Sequence, residues 1–189
     1  MSKQEPIKAM EIHGEKKKIV LAGNPNVGKS VFFNSLTGIY VDVSNFPGTT
    51  VDVSHGHFEE YAVIDTPGVY GISSFNDEEK VARDVILTAD LIVNVVDAVH
   101  LERDLFLSLQ VIETGIPTII VLNMMDDAKR EGLKIDLALL EEQLGVPVIP
   151  AVAIKGKGLK ELKEKLREAR TGNIPLERQA QLKALTCRN

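Results

Sequence analysis

The sequence predicts a doubly wound α/β fold: a mostly parallel six-stranded sheet with one antiparallel strand, covered by helices on both faces. Three observations carry this. Short apolar runs alternate along the chain with segments of helical periodicity, the order of βαβ units. The runs 19–22, 91–96 and 118–122 are rich in Ile, Val and Leu without polar alternation, as strands buried on both faces are. The polar motifs of the chain follow such runs directly, at the carboxyl edge where sheets of this kind take ligands.

At 189 residues, 44% hydrophobic and 26% charged, the chain suits one domain with a sizeable core. A formal net charge of −5 argues against nucleic acid as the main partner. Cys187 is the only cysteine, so no disulfide framework forms, which fits a reducing compartment. No signal peptide opens the chain, and no run of about 18 apolar residues spans a membrane.

Residues 1–16 are polar and aperiodic and read as a flexible arm. The first strand, 19–22, runs into a glycine-punctuated loop and then a helix carrying Phe32, Phe33 and Leu36, which stops near Gly38. Residues 39–50 form a long connection, of a length that is functional or disordered. Val51, Val53, His55 and His57 alternate with Asp52, Ser54 and Gly56 as one strand, and 58–64 form its antiparallel partner. His55 and His57 share a strand face; without a clear third ligand they read as surface histidines rather than a metal site. Residues 78–88 are helical with Val81, Val85 and Ile86 inward, and Leu101, Leu105, Leu109 and Ile112 mark the next helix, closed by Gly115 and Pro117. A helix over 136–144, a last strand over 146–152 and an amphipathic helix with Leu159, Leu162 and Leu166 complete residues 17–170 as one domain. Residues 171–189 read as a linker or the start of a further helical region.

The chemistry begins at Gly23, Asn24, Pro25, Asn26, Val27, Gly28, Lys29 and Ser30, the pattern Gly-x-x-x-x-Gly-Lys-Ser between a strand and a helix. Glycines let backbone N–H groups converge on an anion, and the helix N-terminus at Val31 adds partial positive charge. Lys29 is expected to reach the β- and γ-phosphates of a nucleotide, and Ser30 to ligate Mg²⁺. Asp65 ends the neighbouring strand and is the second Mg²⁺ candidate; Thr66 and Pro67 lead to Gly68, whose N–H approaches the γ-phosphate. In the long connection Gly48 precedes Thr49 and Thr50, and a hydroxyl there can reach Mg²⁺. Thr50 is the choice, with Thr49 its rival. Asn123, Met124 and Asp126 follow a buried strand, and a carboxylate at Asp126 can accept from guanine N1–H and the exocyclic amine, donors adenine lacks. Val152, Ala153 and Ile154 can offer N–H groups to guanine O6.

Taken in order, these motifs resemble the translation-factor-type GTPases, members of the P-loop NTPase class. Residues 45–51 (Asn-Phe-Pro-Gly-Thr-Thr-Val), 79–84 (Glu-Lys-Val-Ala-Arg-Asp) and 94–105 narrow the resemblance to the N-terminal cytosolic G domain of the ferrous iron transport protein B (FeoB) family, over roughly residues 17–169. That resemblance implies GTP and GDP as ligands, GTP hydrolysis and a place on the cytoplasmic face of a prokaryotic membrane. It also implies a helical domain and a membrane region that carries Fe²⁺ in the same full-length protein, with homo-oligomers allowed. Val69 stands where Ras-like proteins have a water-orienting Gln, so Asn26 is expected to hold an activating K⁺, with Lys29, Thr50 and Gly68 completing the catalytic set. Two departures from the family pattern stand out: Phe46 takes the place of Trp in the first loop, and Val152 that of Ser in the last base-contacting motif, where a looser hold on the base, modest affinity and fast release are expected. The alternatives are a soluble Era-like ribosome-assembly GTPase and a nucleotide-binding interaction module with little catalysis.

Overall fold

Seven strands form one sheet in the order β2-β3-β4-β1-β5-β6-β7. The structure, a computed structural model, describes residues 16–38, 41–73 and 75–170. The expected arm (all but Lys16), the segment 171–189 and Cys187 lie outside the described residues. The strands are β1 (Lys18–Gly23), β2 (Asp42–Asn45), β3 (Asp52–Phe58), β4 (Tyr61–Asp65), β5 (Leu91–Asp97), β6 (Thr118–Asn123) and β7 (Val148–Pro150). The helices are α1 (Lys29–Thr37), α2 (Asp77–Ile86), α3 (Leu101–Glu113), α4 (Met125–Arg130), α5 (Leu137–Leu144) and α6 (Leu159–Arg170), with a 3₁₀ turn at Ala153–Lys155.

The central pairings β1–β4, β1–β5, β5–β6 and β6–β7 are parallel, and β3 alone runs against the rest, antiparallel to β2 and β4. The sheet therefore has seven strands, not six. The extra one, β2, lies within the expected connection; it is a short, exposed edge strand held by its ladder to β3. Alternation along β1 sorts the core. Ile19 and Leu21 pack with Phe32, Phe33, Leu162 and Leu166 of α1 and α6. Val20 and Ala22 face the opposite way, onto Val81, Val85, Leu107 and Val111 of α2 and α3.

Helix ends follow their local chemistry. The Asn76 side chain caps α2 by accepting from Glu79 N at 2.7 Å, and Asp136 caps α5 by accepting from Leu139 N at 3.0 Å. Gly145, at φ 68°, ends α5 in the left-handed conformation that glycine adopts without strain. Phe58 closes β3 rather than opening β4, and β7 is shorter than the expected 146–152. His55 is largely buried, its Nε2 3.9 Å from Asp42 Oδ2 across the β2–β3 ladder, while His57 is exposed. Among the described residues no three ligating side chains gather as a metal cluster, and no helix is long and apolar enough to cross a membrane.

Candidate functional site

β1 delivers the glycine loop to the carboxyl edge of the sheet. Gly23 must be glycine, because a Cβ there would lie 2.6 Å from Val95 O of the adjacent strand. Asn26 takes φ 64° and Gly28 φ 87°, and these two left-handed residues turn the chain back into α1. A cavity of about 600 Å³ opens over the loop, lined by residues 24–30, Pro67, Gly68 and Glu78. It has the N-terminus of α1 on one side and the segment after β4 on the other, so backbone N–H groups and the helix dipole favour an anion there.

Lys29 Nζ lies 3.1 Å from Asp65 Oδ1, both side chains largely buried. Burial pushes the Asp65 carboxyl above its ordinary pKa, and the charge and hydrogen bond of Lys29 pull it back only in part. The segment after Asp65 is tied to β1. Thr66 Oγ1 donates to Leu21 O at 2.8 Å, and Val69 N donates to Gly23 O at 3.2 Å. Gly68 packs on the loop so closely that a Cβ would fall 2.9 Å from Pro25 Cα. Val69 is a core residue, 4% exposed. Beyond it, Ile72 N donates to Gln110 Oε1 of α3 at 2.9 Å, and the Arg103 guanidinium lies 5.8 Å from the Tyr70 ring centre. Sequence reasoning missed Glu78. It stands in the first turn of α2 and lines the phosphate cavity, although nothing in its spacing connects it with the loop some 50 residues earlier.

The other end of the site is assembled by Asn123. Its Nδ2 donates to Val27 O of the phosphate loop at 2.9 Å, and its Oδ1 accepts from Ala153 N at 3.0 Å. One buried amide thus ties together the phosphate loop, the end of β6 and the turn after β7. Met124 takes φ 61°, turning the chain into α4, and Asp126 sits in the first turn of that helix. The Asp126 carboxylate meets Lys155 Nζ at 2.6 Å, and that hydrogen bond holds its pKa below the usual carboxylate range. Lys155 was not anticipated from the sequence. Val152 N donates to Lys157 O, and Ala153 N goes to Asn123. Of the three N–H groups expected to face a base, only that of Ile154 has no partner among the described residues, and its side chain is exposed.

The segment carrying Gly48, Thr49 and Thr50 does not line the phosphate cavity. It closes the β2–β3 hairpin through Phe46 N donating to Val51 O at 2.8 Å. Thr49 is part of that turn: its Oγ1 donates to Phe46 O at 3.0 Å and accepts from Val51 N at 3.2 Å. Thr50 is exposed, and its hydroxyl makes no hydrogen bond within the described residues. A carboxylate at Asp65 that burial leaves short of compensating charge and the Ser30 hydroxyl in the phosphate cavity are hard oxygens of the kind Mg²⁺ prefers, so these two residues fit that ion, while Thr50, outside the cavity, is not brought to it.

Comparison with known proteins places this arrangement. The family model described as ferrous iron transport protein B matches residues 17–166. The Fe(2+) transporter FeoB of Escherichia coli K12 is 42% identical over 159 residues, covering 79% of this chain and 21% of its own length. The chain thus spans about a fifth of the curated relatives it matches. Among solved structures, a GDP-bound mutant of S. thermophilus NFeoB is 45% identical with a TM-score of 0.75, over 79% of this chain and 61% of that one. The cytosolic domain of L. pneumophila FeoB is 40% identical with a TM-score of 0.76, over 80% and 63%. The FeoB G-domain from Methanococcus jannaschii is 41% identical with a TM-score of 0.68, and 96% of it is covered by 81% of this chain. With its P-loop GTPase fold, its phosphate loop at the sheet edge and these relatives along nearly all of residues 17–166, the chain belongs to the ferrous iron transport protein B family, in the part that forms the N-terminal G domain.

Proposed function

We propose that this chain binds and hydrolyses GTP as a K⁺-activated switch in a ferrous iron transporter, on the cytoplasmic face of the membrane. In that setting its state passes to the helical and membrane regions of the full-length protein. The observation that carries the reading is the Asn123 amide, which holds an anion-binding loop and a carboxylate suited to guanine in one frame. The backbone N–H groups of residues 26–30 cradle the phosphates. Lys29 exchanges Asp65 for the β- and γ-phosphate oxygens. Asp126 accepts from guanine N1–H and the exocyclic amine. Gly68 offers its N–H to the γ-phosphate, and loss of that phosphate frees Gly68 and Thr50. When bound, Mg²⁺ at Ser30, Thr50 and Asp65 and K⁺ at Asn26 supply positive charge against the triphosphate.

Val69 supports a second reading, a nucleotide-binding module with little catalysis. Its apolar side chain is packed in the core and cannot orient a water. Calorimetry with GDP, GTP and ATP, followed by phosphate release in KCl and in NaCl, tests both. The GTPase reading expects guanine selectivity and faster turnover in KCl, with the difference abolished in Asn26→Ala. Selective binding with no turnover in either salt leaves the module, and equal binding of ATP and GTP removes both. Iron uptake by the full-length protein, lost in an Asp126→Asn variant, tests the transport role.

A further inference from the structure

Asn24 is not explained by the nucleotide chemistry. It is 2% exposed, and neither its Oδ1 nor its Nδ2 meets a partner among the described residues. A buried primary amide left unmet is penalised, and folded proteins keep few of them. If packing were its whole purpose, an apolar side chain would serve, as Val27 does three residues later at 1% exposure. A second unmet group lies on the neighbouring strand. Asn94 pairs in register with Ala22, two residues before Asn24; its Oδ1 has no partner, and its Nδ2 reaches Ala22 O only at 3.4 Å.

The segment that passes this place is the one expected to move when the γ-phosphate comes and goes. Val69 N is bonded to Gly23 O, the residue before Asn24. A Cβ on Gly68 would lie 3.4 Å from the Asn24 carbonyl carbon, so the two backbones are in contact. The residue that carries the unmet amide therefore adjoins, through its own backbone, a segment with donors and acceptors of its own.

We infer that Asn24 is a positioning residue for the segment 67–70: its amide engages that backbone when Gly68 closes on the γ-phosphate, and so favours the triphosphate-bound arrangement over the diphosphate-bound one. The inference rests on the GTPase reading above and assigns the preference for triphosphate to a buried side chain of the phosphate loop. It predicts an asymmetry that a merely structural amide does not produce.

The test is Asn24→Ala, compared with the unmodified chain by calorimetry with GDP and with the non-hydrolysable analogue GppNHp, by steady-state GTP turnover and by thermal melting. The expected result is a loss of GppNHp affinity at least tenfold larger than any loss of GDP affinity, a kcat at least tenfold lower, and a melting temperature unchanged or higher. Asn24→Ser, which keeps a hydroxyl donor and acceptor, should recover part of both. Equal losses for GDP and GppNHp, or a lowered melting temperature, make Asn24 a structural residue satisfied alike in both states and overturn the inference. Unchanged GppNHp affinity and kcat overturn it too. If the unmodified chain itself turns over no GTP, the GTPase reading has failed before the variant is measured.

Discussion

Replacing Asn123 by alanine removes two hydrogen bonds that join three separate stretches of chain. The side chain is in a residue 3% exposed, and its partners lie 96 residues before it and 30 after it. Alanine leaves Val27 O and Ala153 N without their partner. A buried donor or acceptor left unmet costs about 1–3 kcal/mol. Both groups border the nucleotide site, where water gains some access once the loops part, so a total of about 2–4 kcal/mol is expected rather than the full sum. For a chain of this length that corresponds to a melting temperature lower by about 5–12 °C. Nucleotide affinity falls as well, because the phosphate loop and the turn at Ala153 no longer share a frame. Gly28 offers an independent route to the same bond: a Cβ there would fall 2.5 Å from Asn123 Nδ2. Gly28→Ala should therefore weaken GDP binding, and the double variant should lose less than the sum of the two singles. Differential scanning fluorimetry and calorimetry with GDP measure both quantities. A melting temperature within a degree of the unmodified chain, or strictly additive losses in the double variant, refutes the reasoning.

Thr50→Ala should lower GTP turnover while sparing GDP affinity, because its hydroxyl is uncommitted; Thr49→Ala should instead loosen the hairpin, read as faster amide exchange across residues 45–52. Asp126→Asn should cost about 10²-fold or more in GTP affinity with little change in melting temperature, since the side chain is partly exposed and its pair with half-exposed Lys155 of the 3₁₀ turn contributes little. The raised pKa of Asp65 has a definite sign. Stability from a carboxyl whose folded pKa is raised is full below its unfolded pKa and is lost as pH rises through the folded one. The nucleotide-free chain should therefore gain stability relative to Asp65→Asn as pH is lowered through the upper carboxylate range. Mg²⁺ needs the ionised form, so Mg²⁺-dependent GppNHp binding should fade at a higher pH than an ordinary carboxylate would give. A titration midpoint at the usual aspartate value counts against this.

The parts of the fold legible in the sequence are those where burial imposes a pattern. β1, β5 and β6 are covered on both faces, so most of their positions are apolar, and the runs stand out. β2 carries no such mark. Val43 is 61% exposed, and the strand exists only because its backbone pairs with β3. α4 is six residues long with Ala128 its only buried side chain, too short to show a period. The site divides the same way. The glycine loop, Asp65, Gly68 and Asp126 are named by motifs whose chemistry is local. Glu78 and Lys155 are not, because what places them in the site is the packing of α2 and of the 3₁₀ turn against distant segments. At Val152, where a looser hold on the base is expected, the structure buries the side chain and pairs its N–H and C=O with Lys157.

The charges at the two ends of the site are each already paired within the protein. Lys29, proposed to meet phosphate, holds Asp65; Asp126, proposed to meet the base, holds Lys155. Taking a nucleotide is therefore an exchange of partners. The two exchanges differ in kind. Lys155 is half exposed and returns to water when it releases Asp126, so that step costs little and is easily reversed. Lys29 and Asp65 are about nine-tenths covered, and removing one partner of such a pair leaves an uncompensated buried charge, a loss of about 3–5 kcal/mol. On the proposed reading, Lys29 turns to phosphate at least cost when a second cation takes its place at Asp65, or when Asp65, its pKa raised by burial, takes a proton. In the proposed function the buried pair would therefore favour triphosphate binding together with a divalent ion, while the exposed pair would leave the base end free to let go.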